Sequence, residues 1–170
     1  MSLIFTETRL PGVILVDPDV FGDDRGFFME TYHRRKYEAG GISGNFIQDN
    51  HSRSAQGVLR GLHYQLRHPQ AKLVYVVTGE IFDVAVDVRQ NSDTFGQWVG
   101  THLTEENKRQ LFIPEGFAHG FCVTNGPADV IYKCTDFYVA DDDYGILWCD
   151  SSLNIDWPLE APLLSEKDGG

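Results

Sequence analysis

Two histidines, one tyrosine and three cations carry the chemical possibilities of this chain. His63 stands in Gly57-Val58-Leu59-Arg60-Gly61-Leu62-His63-Tyr64-Gln65, among glycines and apolar residues. On a strand, Leu59, Gly61, His63 and Gln65 would share one face. Such an imidazole reads either as a core histidine with a satisfied hydrogen bond or as a base tuned near neutrality, and nothing local decides. His119 lies in Pro114-Glu115-Gly116-Phe117-Ala118-His119-Gly120-Phe121, where Pro and glycines bend the chain into an apolar strand. Alone it reads as structural; two histidines on separate strands, each beside glycines, point to a shared cavity. Tyr132 sits on a face with Val130 and Cys134, where it either packs or faces a cavity and delivers a proton. Arg25, Arg60 and Lys72 occupy glycine-rich or apolar stretches, unlike the solvated run Arg34-Arg35-Lys36, and cations in such contexts usually meet an anion.

Length and charge limit what these residues could serve. The 170 residues carry 14 Lys and Arg against 25 Asp and Glu, a net charge of −11. That sign argues against nucleic acid, which needs a basic face. An anionic small substrate would need a local cationic cluster set against the global charge. No run approaches the roughly 18 apolar residues of a membrane span, and no basic segment precedes an apolar one at the N-terminus. The expectation is one soluble cytoplasmic domain over residues 1–170, with no membrane contact. Cys122, Cys134 and Cys149 cannot all pair, match no zinc spacing, and are expected to be small buried hydrophobes.

The elements that must position these residues are mostly short strands. Phe82, Val84, Val86 and Val88 alternate with Asp83, Ala85 and Asp87. Residues 58–64, 72–78, 98–103, 109–113, 117–124 and 128–135 behave similarly. Val77-Thr78-Gly79-Glu80 and Thr124-Asn125-Gly126-Pro127 are predicted to be hairpin turns. Residues 31–39, ending at Gly40-Gly41, are predicted to form the one sizeable helix. Many evenly spaced strands indicate a sandwich or a small barrel, and the pattern does not choose between them.

Taken together, these segments resemble the dTDP-4-dehydrorhamnose 3,5-epimerase family over nearly the whole chain. The resemblance starts at Val20-Phe21-Gly22-Asp23-Asp24-Arg25-Gly26-Phe27-Phe28-Met29-Glu30 and continues in Phe46-Ile47-Gln48-Asp49-Asn50-His51-Ser52. It takes in Val58 to His63, Phe95-Gly96-Gln97-Trp98-Val99-Gly100, Ile113 to Phe121 and Tyr132 to Tyr138. It ends in Ile155-Asp156-Trp157-Pro158-Leu159 and Leu164-Ser165-Glu166-Lys167-Asp168. The family implies an all-β, cupin-type jelly roll (a double-stranded β-helix) with few short helices, acting as a homodimer. It implies epimerisation of dTDP-4-dehydro-6-deoxy-D-glucose at carbons 3 and 5, in dTDP-rhamnose biosynthesis, with no cofactor and no metal.

Carried onto this chain, the resemblance implies His63 as base, oriented by Asp168, with Tyr132 as proton donor. Lys72 and His119 would line the sugar pocket, with Asp83 behind them. Arg25, Glu30, Gln48, Asn50, Arg60 and Lys167 would bind the nucleotide sugar, and Phe27 and Tyr138 would flank the base. Some of these contacts are made across the dimer in the family. His68-Pro69-Gln70-Ala71 and the Asp141-Asp142-Asp143 turn are less typical of it.

Three rivals follow. A metal-dependent cupin oxygenase would want a His-x-His pair, but that position reads His63-Tyr64-Gln65 here, short of the facial set of ligands such chemistry needs. A non-catalytic nucleotide-sugar binder would have no use for an acid and a base on opposite walls. An epimerase acting at carbon 3 or carbon 5 alone would use the same His and Tyr.

Overall fold

The computed structural model describes residues 2–170. Eleven strands and one short helix form, in chain order, β1 (Ile4–Glu7), β2 (Ile14–Asp17), β3 (Phe21–Asp23), β4 (Gly26–Phe28), α1 (Arg34–Ala39), β5 (Gln48–Ser54), β6 (Leu59–Gln65), β7 (Lys72–Asp87), β8 (Trp98–Thr104), β9 (Gln110–Ile113), β10 (Phe117–Cys134) and β11 (Asp143–Gly145). All pairings between them are antiparallel. The long strands β7 and β10 pair along most of their length and belong to both layers. The first part of β7 pairs with β9, and the second part of β10 with β5. The second part of β7 pairs with β8, and the first part of β10 with β6, which carries β11 at its edge. This is the two-layered jelly roll that the resemblance implies.

Period-two alternation sorts side chains into an interior and two outer faces. Val74, Val76, Ile81, Ala85, Leu111, Ile113, Phe117, Phe121, Val123, Ala128 and Val130 form the inner core. Their neighbours Leu73 and Phe112 face outward, beneath Tyr37 and Ile42 of the helical segment. Leu62, Val84, Val86 and Ala118 face outward on the other layer, beneath Ile146, Leu153, Ile155 and Trp157. Both outer faces are therefore covered by chain that is not itself sheet. The expected alternation from Phe82 to Val88 holds, and its apolar side is the outer one.

Four local expectations need correction. The two predicted hairpin turns are bends within continuous strands. Gly79, at φ +79°, lets β7 turn the corner where a Cβ would stand 2.6 Å from the carbonyl oxygens of Asn125 and Pro127. The β10 register shifts at the same corner, between Val123 and Val130. The helix starts at Arg34, not Thr31, because the Thr31 carbonyl accepts from Tyr37 Oη and Gln110 Nε2. His33 caps it, its Nδ1 accepting from the Lys36 N–H. Cys122 and Cys134 are buried as expected, with burial pushing the Cys122 thiol up to about 12, but Cys149 is exposed.

The strict alternation predicted along β6 also fails. His63 pairs with His119 and Arg60 with Phe121, so three steps on β6 face two on β10. This bulge moves one extra residue into β6 and brings Arg60 and His63 to the same cavity.

Candidate active site

At one end of the interior the alternating inward positions stop being apolar. β7 supplies Lys72 and Asp83, β10 supplies His119 and Tyr132, and β6 supplies His63. Lys72, His119, Tyr132 and His63, with Asp83 behind His119, surround a cleft of two adjoining spaces, about 300 Å³ and about 230 Å³, that share His63, Lys72 and Tyr132 as walls. The first space is completed by Gln48, Asn50 and Tyr138, the second by Arg60, His119 and Asp168.

The glycines beside the histidines explain how two strands come so close here. A Cβ on Gly61, at φ +115°, would lie 2.5 Å from the Gly120 Cα and 2.6 Å from the His119 carbonyl oxygen. Only residues without side chains fit at this crossing. The glycine–histidine neighbourhoods of the sequence thus mark one backbone contact, with the imidazoles next to it.

Each histidine meets a carboxylate. His63 Nε2 lies 2.6 Å from Asp168 Oδ1, and His119 Nε2 lies 2.6 Å from Asp83 Oδ1. A carboxylate only accepts, so both Nε2 atoms donate, which leaves Nδ1 as the ring nitrogen that carries the lone pair whenever the imidazole is neutral. The two pairs differ in access. The His63 side chain is 31% exposed, whereas His119 is 7% exposed and Asp83 fully buried. Asp168 is held in a C-terminal turn, its N–H donating to Ser165 Oγ.

Tyr132 and Lys72 are shaped by burial. Loss of water pushes the Tyr132 phenol above its ordinary range, opposed by the nearby Arg60 charge. Burial pushes the Lys72 ammonium below its ordinary range, opposed by Cys134, Asp143 and Asp83. Lys72 Nζ stands 6.0 Å from the centre of the Tyr132 ring. Among the described residues neither Lys72 nor Arg60 forms a salt bridge; Arg60 Nε donates to Ser54 Oγ at 2.9 Å. The cleft of a strongly acidic chain therefore holds two cations free to meet an incoming anion.

Of the residues singled out from sequence, His63, Tyr132, Asp168, Lys72, His119, Arg60, Gln48, Asn50 and Tyr138 line this cleft. Asp83 reaches it through His119, and Lys167 through an ion pair with Asp143. Arg25, Phe27 and Glu30 do not join them. Arg25 and Phe27 belong to the β3–β4 hairpin, where Arg25 pairs with Asp23 and Phe21, Phe27 and Phe28 are each at least 60% exposed. Glu30 pairs with Lys36. Sequence reading missed Gln65, Gln70 and Asp143. Gln65 Nε2 donates to the carbonyls of His68 and Phe137 while its Oε1 accepts from Val139 N–H, and Gln70 Nε2 donates to Asp136 O. These two bolt down the loop that carries Tyr138. Alternation with His63 placed Gln65 on the right face, but no signal in the sequence marks Asp143.

The described residues contain no cluster of three or more His, Cys, Asp or Glu side chains arranged to hold a metal, and no helix long and apolar enough to cross a membrane.

A family model described as dTDP-4-dehydrorhamnose 3,5-epimerase matches residues 7–170. The enzyme of that name from Shigella flexneri is 57% identical over 164 residues, covering 95% of this chain and 91% of the relative. Its Pseudomonas aeruginosa counterpart is 60% identical over 165 residues, covering 96% and 91%. Among solved structures, a dTDP-6-deoxy-D-glucose-3,5-epimerase from Legionella pneumophila, in complex with dTDP-4-keto-L-rhamnose, superposes with a TM-score of 0.95. It is 51% identical and covers 98% of this chain and 90% of its own.

Proposed function

The chain belongs to the dTDP-4-dehydrorhamnose 3,5-epimerase family, and on that premise we propose that His63 and Tyr132 are the base and acid of its reaction. That reaction inverts carbons 3 and 5 of dTDP-4-dehydro-6-deoxy-D-glucose to give dTDP-4-dehydro-L-rhamnose, in dTDP-rhamnose biosynthesis. The observation that carries the assignment of roles is the His63–Asp168 pair, open to a cleft that Tyr132 and Lys72 also line.

A hydrogen on the carbon beside a ketone is acidic because the electrons left behind spread onto the carbonyl oxygen. Inversion then requires a base on one face and an acid on the other. His63 takes the proton on Nδ1, since Nε2 is engaged by Asp168, whose charge stabilises the imidazolium that forms. Tyr132 supplies the proton on the opposite face. Its raised phenol pKa keeps that proton in place at neutral pH until the enolate carbon takes it. Lys72 faces the developing enolate oxygen, a contribution of roughly 3 kcal/mol for one well-placed donor. The carbanion is stabilised by the substrate's own ketone, so the proton transfers need no cofactor. His119, held by Asp83, fixes the sugar, and Arg60 offers its free guanidinium nitrogens to the pyrophosphate.

Gln48, Asn50 and Tyr138 receive the nucleotide end. The remaining contacts come from a second copy of the chain: the exposed aromatic β3–β4 hairpin brings Arg25 and Phe27, with Glu30 behind it, to a neighbour's cleft. The working unit is thus a homodimer, located in the cytoplasm, where its three cysteines stay reduced.

Heavy water tests the roles. In wild type, two deuterium atoms should enter the sugar, at carbons 3 and 5, by NMR. His63→Asn should abolish both exchange and inversion, while Tyr132→Phe should keep partial exchange and lose inversion, each falling about 10²–10⁴-fold. Wild-type exchange at both carbons in His63→Asn would overturn the assignment.

A further inference from the structure

Asp142 is a fully buried carboxylate at the end of the turn Ala140–Asp142, which leads into β11. Its oxygens meet the chain that joins β6 to β7. Oδ2 accepts from the backbone N–H groups of Arg67 at 2.9 Å and His68 at 2.7 Å, and Oδ1 accepts from Arg67 N–H at 3.0 Å. The exposed Arg67 side chain adds only its Nε, at 3.4 Å. Burial alone would raise the Asp142 carboxyl, but these backbone donors outweigh it and hold the group below the usual carboxylate range. It is therefore ionised at neutral pH. The two segments in which the sequence is less typical of the family, residues 68–71 and 141–143, thus touch at one buried charge.

Residues 136–142 form the lip of the cleft that carries Tyr138. Phe137 and Tyr138 are each more than half exposed, so hydrogen bonds rather than packing hold this lip. Gln70 Nε2 donates to Asp136 O, and Gln65 holds the Phe137 carbonyl and the Val139 N–H. These neutral bonds fix one end and the middle. Asp142 closes the other end with charge-assisted bonds, which are roughly twice as strong. It lines neither space of the cleft, and none of the proton transfers uses it.

We infer that Asp142 is a positioning residue for nucleotide binding: by clamping the end of the lip to the backbone of Arg67 and His68, it holds the Tyr138 ring where it flanks the base. The inference rests on the place given above to Tyr138 at the nucleotide end. Its donors are backbone groups, which have no rotamer to give way, and the carboxylate they hold is sealed from water. Without the carboxylate, the turn between Val139 and β11 loses its charged hold. The neutral bonds of Gln65 and Gln70 are then left to set the lip. Asp142 acts on the ligand through Tyr138 and does not touch it.

Asp142→Asn sets an amide against backbone donors, and Asp142→Ala removes the carboxylate without adding a donor. Thermal melts first establish that the variants are folded at the assay temperature. Calorimetry with dTDP should then show affinity lowered by about threefold or more, up to the loss in Tyr138→Ala, itself about 5- to 150-fold for one aromatic platform under a base. The direction is diagnostic. Removing a negative charge near a site for an anion should by itself tighten binding, so weakening points to position rather than charge. KM should rise while kcat stays within roughly twofold of wild type, because only binding at the nucleotide end is lost. In a Tyr138→Ala background neither change should lower affinity again. Wild-type or tighter affinity, a fall in kcat at unchanged KM, or a full repeated loss in the Tyr138→Ala background would overturn the proposal. Failure of both variants to fold would make Asp142 a folding residue and overturn it too. If Tyr138→Ala itself binds dTDP as tightly as wild type, the nucleotide role of Tyr138 fails first, and the clamp with it.

Discussion

Replacing Gly61 by alanine adds one methyl group where the two histidine strands approach most closely. The new Cβ would meet the Gly120 Cα at 2.5 Å and the His119 carbonyl oxygen at 2.6 Å, and both are backbone atoms with no rotamer to yield. The backbone at Gly61 has φ +115°, a conformation that costs a residue with a side chain about 1–3 kcal/mol. Forcing a methyl into filled space adds about 1–3 kcal/mol more. The total, about 2–6 kcal/mol, is a large share of the 5–15 kcal/mol or so that holds a typical domain folded. Gly26→Ala separates the two contributions, because Gly26 has φ +130° but nothing within 4 Å of its added Cβ. Urea unfolding followed by circular dichroism should place the Gly61→Ala midpoint about 1–3 M below wild type, given slopes of about 1–3 kcal/mol per molar. Gly26→Ala should lie between them. Where Gly61→Ala is still folded, turnover should fall further than the folded fraction, since separating β6 from β10 moves His63 away from His119. A Gly61→Ala protein no less stable than Gly26→Ala would refute the close-contact reasoning.

Two further outcomes follow from the structure. Bonds from Arg53 and His51 hold the Asp129 carboxyl near 2 instead of 3.8, so this cluster stabilises the fold above the ordinary aspartate range and stops doing so as pH falls through about 2. Denaturant melts across that acid range should show a loss in wild type that Asp129→Asn lacks; equal slopes in the two would remove the cluster from the acid response. If the exposed β3–β4 hairpin docks on a second copy, wild type should sediment as a dimer and a Phe27→Ser, Phe28→Ser variant as a monomer, and a monomeric wild type at micromolar concentration would defeat the homodimer.

The sequence was legible wherever one short pattern settled one local choice. Alternation along β7 was one such case, because Phe82, Val84 and Val86 need an apolar cover and Asp83 cannot share it. The corners were misread because Gly79 and Pro127 serve equally well where a strand reverses and where it bends from one layer into the next. Only the pairing of β7 with β10 on both sides of the corner tells these apart, and that pairing is long-range. The β6 bulge was hidden for the same reason: an extra residue shows only against a partner strand. So Arg60 and His63, three positions apart, were expected on opposite faces and in fact line one cavity. Nothing in the sequence marks Asp143, because its contacts are with Lys167 and Tyr138, neither of which the sequence places beside it.

The two histidine–carboxylate pairs have the same bond length, so burial has to distinguish their roles. A base that exchanges its proton with water between turnovers needs a path to solvent, and the partly exposed His63 has one. His119 is nearly sealed, and its partner Asp83 leaves Oδ2 buried without a hydrogen bond. An unsatisfied buried carboxylate oxygen is costly, and a protein keeps one only where some other gain offsets it. Here the gain is a fixed imidazole: Asp83 Oδ1 holds His119 Nε2 at 2.6 Å, and its charge adds to those of Cys134 and Asp143 in opposing the desolvation that lowers the Lys72 ammonium. In the proposed mechanism, a fixed His119 keeps the sugar in register with the Lys72 side chain that faces the developing enolate oxygen. The buried pair is therefore suited to holding charge and substrate still, and the open pair to moving a proton.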